Sequence, residues 1–398
     1  MATETRSFRH VVVGGGFAGE HAVRGIRKLD PEGSIALFSL EPHPPYQRPP
    51  LSKGLWLGGS EEKLPLRKEG YGEVGVELFL GTEVAHLDRA AHTVTDVSGR
   101  VFRYEKLLLA TGGRVKQLPF GEDRILYYRT LDDYHALRRR TEAGERFVII
   151  GGGFIGAELA AALAQNGKQV RMVFPEAAVL ERVLPGDLAR WVTGYYREKG
   201  VEVLAGDAPV AVEPVGGSSA TGRSRVRLKS GTSLEADGVV AGIGIRPDTR
   251  LAEEAGLRVD DGIVVDGFLR TEDPDVFAAG DVARFPYAAL GRLARVEHEE
   301  NAIRQGETAG VNMAGGSERY DLSPMFYSDL FDLGFEAVGD LSSRHRTEAL
   351  WKEPYREGIV HYLEGDRVVG ILLWNAWGRL DEAREVLGSI RRLSLDGA

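Results

Sequence analysis

Short runs of apolar, largely β-branched residues alternate along this chain with alanine- and charge-rich stretches of helical spacing, the pattern expected of a parallel sheet covered by helices. Val11-Val12-Val13 and Phe147-Val148-Ile149-Ile150 are the clearest runs. Each reads as a buried strand, each is closed by a cluster of glycines, and each is followed by a helix-forming segment. After the first, a Ser98-Gly99 turn separates two alternating runs, and Leu107-Leu108-Leu109-Ala110 ends in Thr111-Gly112-Gly113. After the second, Ser230-Gly231 plays the same part, and Gly238-Val239-Val240-Ala241 ends in Gly242-Ile243-Gly244. Both halves therefore predict a βαβ unit, a β-meander and a returning strand whose glycine end approaches a ligand. Duplication is the simplest account.

The segment from about Ile125 to Arg140 links the two copies, since Asp132 to Arg140 has helical spacing just ahead of the second strand. After about Leu251 the chain is expected to return to the first domain, because Asp273-Pro274-Asp275-Val276-Phe277-Ala278-Ala279-Gly280-Asp281 reads as a strand with no place in a self-contained second one. A helix is expected over Asn301 to Gly315. Beyond Gly316, alternating runs over Pro324 to Gly339 and Gly358 to Asn375 precede a closing helix, Leu380 to Leu387. The expected class is α/β: two doubly wound, Rossmann-like dinucleotide-binding domains plus a C-terminal α+β domain. The expected boundaries are 1–126 with 250–317, 127–249, and 318–398.

The glycine clusters, Gly14-Gly15-Gly16-Phe17-Ala18-Gly19 and Gly151-Gly152-Gly153-Phe154-Ile155-Gly156, are two copies of one fingerprint in matching strand-turn-helix context. Such glycines make the tight turn, let backbone N–H groups reach a pyrophosphate, and seat the helix on the strand. About twenty residues after each stands an acid near a strand end, Glu41 and Glu176, placed to accept hydrogen bonds from a ribose diol. An acid there repels a 2′-phosphate, which favours NADH over NADPH, although Arg171 and Arg182 lie close in sequence.

Composition narrows the chemistry. The chain has 398 residues, 43% hydrophobic, enough for two or three packed domains. Its net charge of −9 argues against a nucleic-acid binder. With no cysteine, a disulfide relay, a thiol peroxide centre and a cysteine-held iron–sulfur cluster are all excluded, so electrons must travel on organic cofactors. No metal site is expected. The first residues run directly into the first fingerprint without a signal-peptide core, and Phe147 to Ala164 is interrupted by glycines and Glu158, so neither leader nor transmembrane segment is expected and the setting is read as cytoplasmic.

Taken together, the fingerprints, Phe174-Pro175-Glu176, Arg295-Val296-Glu297-His298, Met325-Phe326-Tyr327-Ser328-Asp329-Leu330 and Leu373-Trp374-Asn375 resemble the two-dinucleotide flavoprotein reductases of the pyridine nucleotide-disulfide oxidoreductase superfamily, over the whole chain. Within it the likeness is greatest to the apoptosis-inducing factor group, with ferredoxin reductases of oxygenase systems next. The resemblance implies that FAD lies on Gly14, Gly16 and Gly19, with Glu41 at its ribose, Val84 at its adenine, Thr111 and Gly112 near its phosphates, and Asp281 at its ribityl chain. Where the family often carries adjacent acids, this chain has Leu40 before Glu41. It further implies that NAD(H) lies on Gly151, Gly153, Ile155 and Gly156, near Gly242, with Glu176 at its ribose and Arg182 at its pyrophosphate.

Pro45-Tyr46-Gln47-Arg48-Pro49-Pro50-Leu51-Ser52-Lys53 matches a family string in which Arg48 and Lys53 approach the flavin. On its residues alone the string reads equally as a proline-rich surface loop with solvated cations. By the same resemblance Glu158 pairs with Lys53, Phe154 covers the flavin face, and Glu297, His298 and Tyr327 belong to the flavin site, Tyr327 standing where the family often has tryptophan. A carboxylate at Glu158 is also favoured by a helix start whatever its function, and Phe154 reads as comfortably in a core. Ser342 to Gly358 appears as a short connection where animal relatives carry a long insertion.

The function expected is an FAD-containing NADH oxidoreductase with Lys53, Glu158 and Phe154 at the reacting centre and an unidentified acceptor, an iron–sulfur protein or a quinone. The alternatives are an NADH-sensing, redox-controlled interaction protein that turns over slowly and dimerises on reduction, and a ferredoxin reductase of an oxygenase system.

Overall fold

The computed structural model describes residues 5–121, 123–216 and 222–395. Of the N-terminal stretch read above, Met1 to Glu4 lie outside these residues. Contacts divide the chain into two units, one of residues 1–47, 62–114 and 246–326, the other of residues 48–61, 115–245 and 327–398.

In the first unit the strands Arg6–Val13, Ile35–Phe38, Val76–Phe79, Val101–Leu109 and Val276–Ala278 pair in parallel, with Arg6–Val13 between Ile35–Phe38 and Val101–Leu109. Val84–Asp88 and Thr93–Asp96 add an antiparallel extension. The crossover helix Phe17–Leu29 rises from the first glycine cluster. Phe38, Phe79 and Phe102 fill the core beneath the sheet, stacked at 4.6 Å for the first pair and edge-on at 4.9 and 5.1 Å for the others.

A second helix, Glu299–Met313, lies against Phe17–Leu29 at backbone distance. Small residues make this approach possible. A Cβ added at Gly306 would meet the Ala18 carbonyl oxygen at 2.3 Å, and one at Gly310 the Ala22 oxygen at 2.1 Å. This helix begins two residues earlier than the expected Asn301, with His298 as its N-cap and Glu299 and Glu300 in the first turn, where carboxylates suit the exposed N–H groups.

The second unit repeats the plan. Glu202–Ala205, Gln169–Phe174, Arg146–Ile150, Gly238–Ala241 and Ile125–Tyr127 form a five-stranded parallel sheet in that order. Helices Leu131–Ala143, Phe154–Gln165 and Gly186–Glu198 accompany it, with a meander of Pro209–Pro214, Ser224–Leu228 and Ser233–Ala236. Val148, Val226 and Val239 pack sheet and meander into one core.

The same unit contains a five-stranded C-terminal sheet in the order Met325–Leu330, Leu333–Gly339, Arg367–Trp374, Glu357–Glu364 and Arg346–Glu353, closed by the helix Leu380–Val386. The stretch expected as a short connection, Ser342 to Gly358, holds the whole of that last strand. Arg346–Glu353 is an edge strand with neither face buried, so its sequence carries no apolar alternation to betray it.

Replacing Gly310 by Val is expected to cost about 1–3 kcal/mol, because the obstructing atom is backbone and cannot turn aside. Urea unfolding should show a lower midpoint at an unchanged slope.

Candidate active site

The two glycine turns share one geometry. Gly14 sits at φ +131° and a Cβ there would lie 2.0 Å from the Ala110 carbonyl oxygen; Gly151 sits at φ +118°, with the Gly242 oxygen 2.4 Å from the equivalent point. Gly19 and Gly156 press on the carbonyl oxygens of Gly14 and Gly151, at 1.9 and 2.1 Å from an added Cβ. Gly16 and Gly153, between them, face open space: an added Cβ would meet nothing within 4 Å. Each caps its helix with no side-chain hydrogen bond. Of the four glycines in each turn, the first and last are blocked by backbone oxygens, and a Cβ added at Gly15 or Gly152 would stand 2.6 or 2.8 Å from the Ser39 or Phe174 side chain, while Gly16 and Gly153 leave a clear approach to backbone N–H groups at a helix's positive end, which fits the pyrophosphate of a dinucleotide.

Around the first turn, Glu41 accepts a hydrogen bond from Tyr46 Oη at 2.5 Å. Thr111 Oγ1 donates to the Asp248 carbonyl at 2.7 Å, and Gly112 takes φ +65°. Val84 is buried at the start of its strand. Asp281 follows the Val276–Ala278 strand in a short turn, its carbonyl accepting from Arg295 at 3.2 Å. Arg295 also pairs with Glu297 at 2.7 Å. His298 stacks on Phe326 at 4.3 Å, and burial pushes its imidazole down to about 4, so it is neutral at pH 7.

Around the second turn, Glu158 projects from the helix Phe154–Gln165 with only 6% exposure. Ser52 Oγ donates to its Oε2 at 2.6 Å, Ser328 Oγ donates to its Oε1 at 2.7 Å, and Lys53 Nζ lies 3.3 Å from Oε1. Burial pushes the carboxyl up, while Lys53 and the two hydroxyls pull it back. Lys53 itself stands 3.8 Å over the Tyr327 ring and 3.5 Å from Asp329. The surface-loop reading of the Pro45 string does not describe this stretch: Leu51, Ser52, Leu55 and Trp56 are buried. Arg48 donates to the Arg129 carbonyl at 3.0 Å. Phe154 is half-buried, its ring 6.2 Å from that of Phe335, and Ile155 is exposed beside Gly242.

Glu176 and Arg182 form an ion pair at 2.5 Å, and Arg171 is occupied with Glu202 at 2.8 Å. The loop that carries Glu176 and Arg182 is tied to the glycine turn, for the Leu180 N–H donates to the Gly152 carbonyl at 2.8 Å with Leu180 in the left-handed region at φ +57°. Ser52 and Ser328 were not among the candidates read from sequence. Both lie inside strings already singled out, and Ser52 adjoins Lys53, but nothing in a serine's sequence position distinguishes a buried donor from a loop hydroxyl.

Residues 8–306 match the family model described as pyridine nucleotide-disulphide oxidoreductase, and residues 342–389 match that of the C-terminal region of mitochondrion-associated apoptosis-inducing factor. The chain belongs to the pyridine nucleotide-disulphide oxidoreductase family. It is similar to mitochondrial apoptosis-inducing factor 1 of Dictyostelium discoideum, at 34% identity over 96% of this chain and 79% of that protein. It is also similar to monodehydroascorbate reductase 2 of Arabidopsis thaliana, at 37% identity over 85% and 83%. Among solved structures it matches the reductase in the covalent putidaredoxin reductase–putidaredoxin complex at TM-score 0.89 and 34% identity, covering 96% of this chain and 93% of that one. As a member of the family the chain is an oxidoreductase that uses FAD and NAD(H). Without cysteine it cannot run the disulfide chemistry of the family's name.

The difference between the glycines is directly testable. Gly153→Val, at an ordinary φ of −83° and into open space, should leave the melting temperature unchanged while weakening NAD(H) binding tenfold or more, about 1.4 kcal/mol. Gly156→Val, its added Cβ 2.1 Å from a backbone oxygen, should instead lower the melting temperature, and calorimetry separates the two results.

Proposed function

We propose that the chain oxidises NADH through FAD and hands the electrons to a small iron–sulfur protein. The observation that carries the nucleotide chemistry is the repeated glycine turn with its open positions at Gly16 and Gly153. Likeness over nearly the whole chain to a reductase captured with putidaredoxin supports the acceptor. FAD, when bound, supplies a ring that accepts a hydride and can release electrons singly.

The protein's own residues hold and polarise. Gly16 and Gly153 open the helix starts to two pyrophosphates. Glu41, oriented by the Tyr46 hydroxyl, is a carboxylate suited to accept from a ribose hydroxyl, and Asp281 is a carboxylate acceptor suited to a polyol. Neutral His298, stacked on Phe326, adds no charge to the first unit's site. Lys53 is the fixed cation for negative charge that develops on reduction, a preorganised stabilisation that costs no rearrangement during the step. Hydride transfer between two rings calls for no side-chain acid, which agrees with Glu158 having both oxygens engaged by donors. Positioning does most of the catalysis.

Glu176 supports a preference for NADH, tempered by Arg182, which neutralises it. We expect Arg182→Gln to leave the carboxylate unopposed and widen discrimination against NADPH about tenfold, and Glu176→Gln to narrow it by a similar factor, each a charge interaction of ~1.4 kcal/mol. Ratios of kcat/KM for the two coenzymes measure this. Wild-type protein equally efficient with both would remove the basis of the preference.

The match of residues 342–389 to the apoptosis-inducing factor model favours a second reading, an NADH-sensing protein that turns over slowly and associates on reduction. Stopped-flow reduction by NADH, an acceptor panel of iron–sulfur protein, quinone and dye, and sizing before and after reduction separate the two. Fast transfer to an iron–sulfur protein at constant mass supports the reductase; slow reoxidation by every acceptor with a doubled mass supports the sensor. Cytoplasmic residence belongs to the same proposal and is checked by fractionating cells that express the tagged chain.

A further inference from the structure

The oxygens of Glu158 are gripped from two distant parts of the sequence. Ser52 belongs to the loop that carries Lys53, whereas Ser328 belongs to the strand Met325–Leu330 of the C-terminal sheet, 170 positions from Glu158. That strand is pinned where it turns. Phe331 takes φ +63°, unusual for a bulky residue, and its ring is held edge-on by Tyr196 at 5.1 Å and Tyr195 at 5.9 Å. Asp332, beside it, receives Lys199 at 2.6 Å and the Tyr195 hydroxyl. Three consecutive residues of the strand then address one ion pair. Tyr327 and Asp329 meet Lys53, and Ser328 between them meets Glu158.

We propose that Ser328 is a positioning residue whose hydroxyl fixes Glu158 against Lys53, so that the C-terminal sheet sets the net charge the pair presents at the start of the Phe154–Gln165 helix. The inference rests on the reading of the chain as an NADH oxidoreductase. An ionised Glu158 cancels Lys53; a protonated one leaves a positive charge that favours a reduced, anionic ring. A hydroxyl donated to the carboxylate stabilises the ionised form against the burial that opposes it. The other charged and titratable groups facing Glu158 are Lys53 from the loop, Asp329 on the strand beyond Lys53, and Tyr196 on the helix Gly186–Glu198, whose hydroxyl donates to the Ala157 carbonyl at 3.1 Å. Losing one charge-assisted hydrogen bond should raise the pH at which Glu158 takes its proton by about one to two units.

Infrared titration of the full-length protein reads that proton directly, the carboxyl band being assigned by its loss in Glu158→Gln. In Ser328→Ala the midpoint should rise by about one to two pH units, and the pH profile of flavin reduction by NADH should move with it. Ser328→Thr, which keeps the hydroxyl, should restore both. If the alanine variant does not fold, Ser328→Cys, a similar volume with a weak donor, is read in its place and should move the midpoint in the same direction. An unmoved midpoint in folded protein overturns the inference, and so does a threonine variant that behaves like alanine. Protein that NADH bleaches normally but whose midpoint stays put sinks this inference alone. A shifted midpoint in protein that takes up no flavin supports the tie to Glu158 and sinks the oxidoreductase reading instead.

Discussion

A carboxylate that has lost nearly all its water must be supplied with donors, and Glu158 is that group here. Stripping a charge of solvent without replacement costs several kcal/mol, so the surrounding chain is obliged to converge on it. The proline-rich loop turns inward, bringing a hydroxyl and an ammonium. The C-terminal sheet contributes a hydroxyl from its first strand. Residues 48–61 accordingly pack with the second unit although they interrupt the first in sequence.

The duplicated turn is the other fixed element, and it works by exclusion. At two of its glycines a side chain would occupy the space of a carbonyl oxygen, so the strand, the turn and the following helix can close only if no Cβ is present. At Gly16 and Gly153 nothing stands in the way, and the space is open to a ligand. One steric solution, written twice, gives two turns that differ in what surrounds them: a neutral histidine and a tyrosine-bound glutamate in the first unit, a lysine–glutamate pair and a glutamate–arginine pair in the second.

Much of this was legible in the chain. The strand-glycine-helix units announce themselves because burial on both faces demands continuous apolar runs and because the glycines are sterically compulsory. Glu158 and Glu176 could be singled out by their place relative to those turns, whereas Lys53 and Arg182 were marked by the family resemblance. What escaped reading was set by tertiary contact. Ser52 and Ser328 are polar residues in unremarkable strings, and only folding reveals that each faces the same carboxylate. The edge strand Arg346–Glu353 has no buried face to impose a period of two. The pairing of Arg182 with Glu176, in place of a free arginine awaiting a phosphate, depends on a loop geometry that no spacing encodes.

That loop geometry has a consequence for how coenzyme choice could be changed. Its attachment to the phosphate turn is made by the main chain at Leu180, a residue held in a conformation that glycine or asparagine would adopt with less strain. The side chains at 176 and 182 are therefore decorations on a backbone anchored elsewhere. Natural drift or deliberate redesign can exchange their charges freely, while a substitution at 180 that altered the local twist would disturb both ends of the nucleotide at once.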